Sequence, residues 1–400
     1  MTQTTYKLSD IADVIDCEHK TAPTIDKSEY YSIRTPDIKN GRLLYEKANR
    51  VSLETYIEWT KRGIPEQGDI ILAREAPVGE VGKIDKNHNV CLGQRTVLIK
   101  IKSSEIFCDY LLYCFVSPSF KKNLQELSGG SVVAHLNMKD IRNLEFTFPT
   151  LLEQKAIASV LSSLDDKIDL LHRQNKTLES MAETLFRQWF DVDSNEAWQE
   201  KNVLDIFTLV GGGTPKTSVA EYWTDEIPWI SGGDISAAHQ GYLYRTEKSI
   251  SLAGLQNSSA KLLPKNSTVI SARGTVGKYA LLAREMAFSQ SNYGIVSKIG
   301  SYPFFIYLLV GFIVDDLLAA AYGSVFDTIT TRTFESVNLK FPSVISIEKF
   351  NKEVASLFNK KEINTFQIKT LEKLRDTLLP KLMSGEVRVQ YAEEAIASVA

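Results

Sequence analysis

Lys176-Thr177-Leu178-Glu179 returns as Lys369-Thr370-Leu371-Glu372, at an offset of 193 residues. The same offset holds without a gap from Gly130–Trp189 to Gly323–Leu382. Gly130-Ser131-Val132 falls over Gly323-Ser324-Val325, and Phe148-Pro149 over Phe341-Pro342. Self-similarity at a fixed spacing marks a tandem repeat. Each repeat reads as a globular module followed by a long helix.

The helices carry a heptad seam. In the first, Ile157, Leu161, Leu164, Ile168, Leu171, Leu178, Ala182, Leu185 and Trp189 recur in alternating steps of four and three, with Asn175 as the polar core residue. In the second, Phe350, Val354, Leu357, Ile368, Leu371, Leu378 and Leu382 take those places, with Lys361, Asn364 and Arg375 as polar entries. A seam of this period and length needs a partner helix, and a buried Asn fixes its register. An antiparallel pair is expected, in the register where Ile157 meets Leu382, Leu161 meets Leu378, Ile168 meets Leu371 and Leu171 meets Ile368. Asn175 then meets Asn364, and Trp189 meets Phe350. Facing Asn side chains can exchange reciprocal amide hydrogen bonds. Arg375 against Leu164 and Lys361 against Leu178 are expected to snorkel outward.

Outside the helices the repeat is looser. Asp10-Ile11 matches Asp205-Ile206, Asp37-Ile38 matches Asp234-Ile235, and Val51-Ser52 matches Ile250-Ser251. Pro65 matches Pro264, Ala73-Arg74 matches Ala272-Arg273, Val81-Gly82-Lys83 matches Val276-Gly277-Lys278, and Gln94 matches Gln290. Short β-rich runs bounded by Gly, Pro and Asn, without β-α-β alternation, predict mixed or antiparallel sheets. The expected class is α+β: two tandem, pseudo-two-fold-related α/β modules joined by two long helices forming an antiparallel coiled coil. The expected division is module one over 1–150, a helix over 151–190, a linker over 191–202, module two over 203–342, a second helix over 343–385, and a tail over 386–400.

With 46 basic and 49 acidic side chains in 400 residues, the chain has no basic arm, so phosphate attraction alone does not anchor it to nucleic acid. The four cysteines (Cys17, Cys91, Cys108, Cys114) form no C-x-x-C pair, which argues against zinc knuckles and redox pairs. The N-terminus has no apolar leader segment, and the apolar run Pro303–Val314, closed by Asp315-Asp316, reads as a buried helix too short to span a bilayer. A cytoplasmic protein without a membrane partner is expected.

The stretches Glu153-Gln154-Lys155-Ala156-Ile157-Ala158-Ser159-Val160-Leu161, Lys176-Thr177-Leu178-Glu179 and Leu378-Leu379-Pro380-Lys381-Leu382-Met383-Ser384-Gly385-Glu386 resemble the specificity subunit of type I restriction–modification systems. The resemblance covers nearly the whole chain. It implies that the modules are target recognition domains, each reading one half of a split site on double-stranded DNA, with the helices setting the gap. It also implies two methyltransferase subunits docked along the helices, further restriction–translocase subunits, and no chemistry or cofactor in this chain itself. The sequence agrees in lacking an N/D-P-P-Y/F tetrapeptide, an H-E-x-x-H pair and a G-x-x-x-x-G-K-[ST] loop.

Base reading needs paired donors or acceptors, which Arg and Lys present to guanine and Asn and Gln to adenine. Three polar, glycine-punctuated regions per half offer them. The first holds Ser32, Arg34 and Lys39, with Ser231 and Asp234 opposite. The second is the turn holding Arg74 and Glu75, with Arg273, Thr275 and Lys278 opposite; Gln94 and Arg95 lie nearby, with Gln290, Ser291 and Asn292 opposite. The third runs from Ser131 to Lys139, including His135 and Asn137, with Thr328, Thr330 and Arg332 opposite. Residues recurring in both halves, such as Arg74 and Gln94, suit frame or phosphate contacts. His135 against Thr328 and Asn137 against Thr330 suit specificity, because there the halves differ.

A different class of function, a coiled-coil scaffold with two peptide-binding modules, fits the near-neutral charge; the motif wording favours the DNA reader. Three patterns mimic active sites. Gly274-Thr275-Val276-Gly277-Lys278 is too short for a phosphate loop. Gly211-Gly212-Gly213 reads as a flexible or DNA-facing loop. Asp140 with Glu153 and Lys155 imitates a nuclease set, but the latter two open a helix.

Overall fold

The computed structural model describes residues 3–75, 77–85, 88–127, 135–192, 198–322 and 328–391. The matched triplets Gly130–Val132 and Gly323–Val325, part of the expected linker, and residues 392–400 of the expected tail lie outside them.

Both modules are built alike. An opening strand, Thr4–Lys7 or Gln199–Asn202, pairs antiparallel with the last strand, Glu145–Phe148 or Asn338–Phe341. The module is thereby closed just before its long helix starts. The main sheet of the first module runs in the order Ala12–Asp16, Thr96–Ile101, Ile70–Ala73, Val81–Lys83. Ile70, Ile71, Leu72 and Ala73 are all buried, as an unbroken apolar run covered on both faces must be. The second module has the order Phe207–Gly211, Asn292–Ser297, Thr268–Ser271, Tyr279–Leu282, Tyr242–Leu243. Smaller sheets contain parallel pairs, Tyr30–Ile33 with Asn89–Leu92 and Trp229-Ile230 with Ala287-Phe288. The mixed sheets expected from the sequence are therefore present.

Strand pairing corrects part of the repeat register. Ala73 faces Thr96, whereas Ser271 faces Asn292. The amide of Arg74 donates to the carbonyl of Arg95 (2.9 Å), and that of Ala272 to the carbonyl of Ser291 (2.9 Å). Arg74 thus corresponds to Ala272, and Glu75 to Arg273. Likewise Gly79 and Gly277 are the equivalent turn glycines, at φ +86° and +79°. Val81-Gly82-Lys83 corresponds to Tyr279-Ala280-Leu281, which pair with their neighbours in the same way. Dipeptide likeness had pulled the alignment off the hydrogen-bond ladder.

The apolar run in the second module is part of a longer helix, Pro303–Tyr322, because Asp315 and Asp316 do not end it. It is long and apolar enough to cross a membrane by composition. In this fold it is the core helix: Phe305, Tyr307, Val310, Ile313 and Leu317 are buried, beneath Phe350 and Phe358. Its start is held from the second long helix, whose Asn351 Oδ1 accepts from the amides of Phe304 and Phe305, both at 3.1 Å. Gln154 does the same in the first module, accepting from the amide of Phe107 (2.9 Å) ahead of helix Cys108–Val116.

The long helices span Leu151–Arg187 and Val344–Ser384. Thr150 and Glu153 open the first, the amide of Thr150 donating to Glu153 Oε2 (3.2 Å) and that of Glu153 to Thr150 Oγ1 (3.4 Å). That capping role accounts for Glu153 and removes the nuclease imitation. Gly385, at φ +77°, ends the second helix. The chain forms two compact units, residues 1–169 with 369–400, and residues 170–368. Each unit thus combines one module with a segment of both helices.

Partner numbers fall along one helix as they rise along the other, which is the antiparallel arrangement. In the first unit Arg375 Nη1 donates to Asp165 Oδ1 (2.9 Å). In the second, Asn364 Nδ2 donates to Asn175 Oδ1 (3.0 Å), Lys361 pairs with Glu179, and Trp189 packs on Phe350 with ring centroids 5.8 Å apart. These pairs reproduce the expected register. Two details differ. The Asn pair is not reciprocal: Asn175 Nδ2 turns to Thr365 Oγ1 (3.1 Å), and Asn364 Oδ1 has no partner. Lys361 does not snorkel. Its side chain is 8% exposed, and Nζ donates to the carbonyl of Gln240 (2.9 Å) besides meeting Glu179. Burial lowers its pKa to about 7, and the adjacent carboxylate works the other way.

Candidate nucleic-acid interface

Three loop regions separated in sequence converge at one end of the first module. The amide of Gly93 donates to the carbonyl of Ile33 (2.8 Å), which brings Arg34 beside Gln94 and Arg95. The amide of Leu136 donates to the carbonyl of Arg74 (3.0 Å), which brings in His135. A polar chain joins the side chains. Arg74 Nη1 donates to both oxygens of Asp16 at 3.0 Å, and Arg74 Nη2 lies 3.3 Å from His135 Nε2. His135 Nδ1 lies 2.7 Å from Glu75 Oε1, and Arg95 Nε pairs with Glu75 Oε2 at 2.9 Å. Gln94 Nε2 donates to the carbonyl of His19 (3.4 Å), whose ring reaches Asp16 at 3.2 Å. Asp16 and His19 were not among the expected site residues, whereas Glu75 was expected beside Arg74. Asp16 and His19 join a set some 58 residues away in sequence, and no local signal marks such a contact.

The second module repeats the convergence with other side chains. Ser231 and Asp234 form a capping box, the amide of Ser231 donating to Asp234 Oδ2 (2.8 Å). Arg34 and Asp37 hold the corresponding box at 3.0 Å. Thr275 Oγ1 donates to the carbonyl of Gly232 (3.1 Å), the amide of Ile329 to that of Ala272 (3.1 Å), and Thr214 bonds to Gln290. Gly212 and Gly213 are not a flexible loop. A Cβ on Gly213 would lie 2.2 Å from the Ser259 backbone, so this segment is packed by close backbone approach.

The candidates therefore separate by what they touch. Gln94, Arg95, Arg273 and Gln290 are exposed at the converged end, with His135 and Thr328 half-buried beside them. Arg34, Arg74, Asp234 and Thr275 are committed to frame contacts. Asn292 is 1% exposed and bonds to Ser289 Oγ (2.8 Å), so its amide supports the strand ends rather than facing outward. Asn137 and Thr330 occupy the N-cap positions of short helices, Met138–Arg142 and Thr331–Glu335, where Asn137 Nδ2 donates to Asp140 Oδ2 (3.2 Å) and the amide of Thr330 to Thr333 Oγ1 (3.0 Å). Lys39, Lys139 and Arg332 are exposed, and Lys278 is half-buried. None of these four joins the polar chain. Residues 131–134 and 324–327 of the third region lie outside the described residues.

Both halves match one family model, the type I restriction modification DNA specificity domain, over residues 2–180 and 195–374. The chain belongs to this family. A type I restriction enzyme specificity subunit of Methanocaldococcus jannaschii is 26% identical over 96% of this chain and 94% of its own length. One from Haemophilus influenzae is 22% identical over 89% and 94%. The crystal structure of the S subunit of a type I restriction–modification system from M. genitalium superposes with a TM-score of 0.60 at 16% identity, covering 95% of this chain and 96% of that one. That likeness establishes a shared fold. No group of His, Cys, Asp and Glu suited to holding a metal occurs among the described residues.

Proposed function

We propose that this chain is the DNA sequence-recognition subunit of a type I restriction–modification complex, and that each module reads one half of a bipartite, asymmetric site. The observation that carries the reading is a shared frame with different side chains at its converged end. Glu75, Arg95 and His135 occupy the places of Arg273, Ser291 and Thr328. One frame with two sets of side chains suits two different half-sites; identical sets would suit a palindrome. Relatives named as specificity subunits support the role of recognition without catalysis. In this reading methyltransferase subunits, two per chain, dock along the helices, restriction–translocase subunits complete the assembly, and the helices set the gap between half-sites. The domain division over 1–150, 151–190, 203–342 and 343–385 belongs to the same proposal, with the compact units cutting through both helices. The expected outcome of exchanging residues 1–150 for those of a relative is a methylated motif altered in one half only. Alteration of both halves would refute the one-module, one-half-site reading.

A further inference from the structure

We infer that Arg95 is the guanine-reading side chain of the first module and that Glu75 is its positioning residue. This rests on the reading of the modules as DNA readers. The first observation is conformational. Among the described residues, four non-glycine residues have positive φ: Asn40 (49°), Arg95 (67°), Gln240 (58°) and Asn266 (65°). Three belong to the shared frame. Asn40 and Gln240 precede the equivalent glycines Gly41 and Gly241, whose carbonyls accept from the amides of Lys83 and Leu281. Asn266 stands where the first module has Gly68 (φ +91°), their amides donating to the carbonyls of Leu282 and Ile84. Arg95 stands apart, because its equivalent Ser291 does not share the conformation. The frame does not demand a left-handed residue there. Side chains adopt that region rarely, and such outliers gather at functional sites.

The second observation is the clamp. Glu75 Oε2 holds Arg95 Nε at 2.9 Å, while Oε1 faces His135 Nδ1 at 2.7 Å. With Nδ1–H donating to Glu75, the His135 Nε2 lone pair accepts from Arg74 Nη2, and Arg74 is anchored on Asp16. This tautomer gives both ring nitrogens of His135 a matched partner. The carboxylate is therefore fixed from behind and fixes the guanidinium in turn. The Arg95 side chain is 57% exposed, that of Glu75 only 19%. Tying Nε leaves the two Nη groups side by side, the fork that matches guanine O6 and N7. In the second module Arg273 replaces Glu75 and Ser291 replaces Arg95, so the carboxylate–guanidinium clamp has no counterpart there.

The test uses the full chain assembled with methyltransferase subunits and a randomised duplex library, with base preference read at each position by sequencing the bound fraction. The wild-type complex is expected to require a G·C pair in the half-site of the first module. Arg95→Ala should abolish that requirement, a loss of roughly 5- to 150-fold in discrimination at one position. The second half-site should stay unchanged, which also reports that the variant is folded. Glu75→Gln should weaken the same position partially and no other, a change of base preference that a merely structural role would not produce. Uniform weakening across all sequences, up to complete loss, would place Arg95 on the phosphates or in the frame and overturn the assignment. A wild-type motif left unchanged by Arg95→Ala would overturn the assignment alone. A wild-type complex selecting no bipartite motif would overturn both it and the two-module reading.

Discussion

Lys361→Met is expected to be among the costliest single changes in the second unit. Lys361 is 8% exposed and Glu179 12%; the pair is completed by the carbonyl of Gln240 and by Tyr307, whose hydroxyl donates to Glu179 Oε1 (2.7 Å). Removing the ammonium strands a carboxylate with a single donor among apolar neighbours. Breaking a buried pair in this way costs about 3–5 kcal/mol. Glu179→Met strands the ammonium instead, but burial already lowers that pKa to about 7, so above neutrality the amine sheds its proton and the cost is smaller. In that variant, between about pH 7 and 10.5, the unfolded chain keeps a proton that the folded chain has released, so stability rises with pH across this window. The double variant Lys361→Met with Glu179→Met removes both charges and should lie within about 1–2 kcal/mol of wild type. Urea unfolding followed by tryptophan fluorescence is the assay. Trp189, Trp198, Trp223 and Trp229 lie in the second unit and only Trp59 in the first. A double variant as unstable as the sum of the singles would refute the coupling.

Asn364→Leu should change stability by no more than about 1 kcal/mol, because it removes an unpartnered carbonyl along with bonds to half-exposed neighbours; the same unfolding assay checks this. Seven residues added to each long helix at antiparallel-matched places keep the heptad phase and lengthen each by about 10 Å, roughly three base pairs of B-DNA. The methylated motif of that variant should show a wider gap between unchanged halves, and an unchanged gap with full activity would refute a ruler role. The chain alone should bind DNA weakly and without steep salt dependence, since its net charge is −3, with methyltransferase subunits sharpening the binding. Gel shifts at varied salt check this, and tight specific binding by the chain alone would refute the need for partners.

The helices were legible in the sequence to the level of individual layers, because a heptad seam constrains both partners at once. Asn175 against Asn364 and Trp189 against Phe350 followed from numbering alone. What the polar layers would do was not legible. Lys361 stays buried because Glu179, beside the seam on the first helix, meets it, and because Gln240 and Tyr307 complete the pair from the module, which the heptad pattern does not describe. The module frame was legible where capping residues mark it, as at Ser52 and Ser251, each capping a short helix. It was misread at Ala73-Arg74 and Ala272-Arg273, because a two-letter match carries less information than a strand ladder. For the site, loop composition found Arg34, Arg74, Gln94, Arg95 and His135, which the fold brings together. It could not distinguish exposed candidates from Asn292, whose residue type fits base reading while its burial does not.

The central claim is that two modules with one frame and different exposed side chains read two different halves of one DNA site. Sequencing the methylated genome of a host that carries this subunit with methyltransferase partners tests it most directly. The account predicts methylation at a bipartite motif whose two specified halves differ and are separated by a fixed unspecified gap. A palindromic or continuous motif, or methylation with no sequence preference, would contradict it.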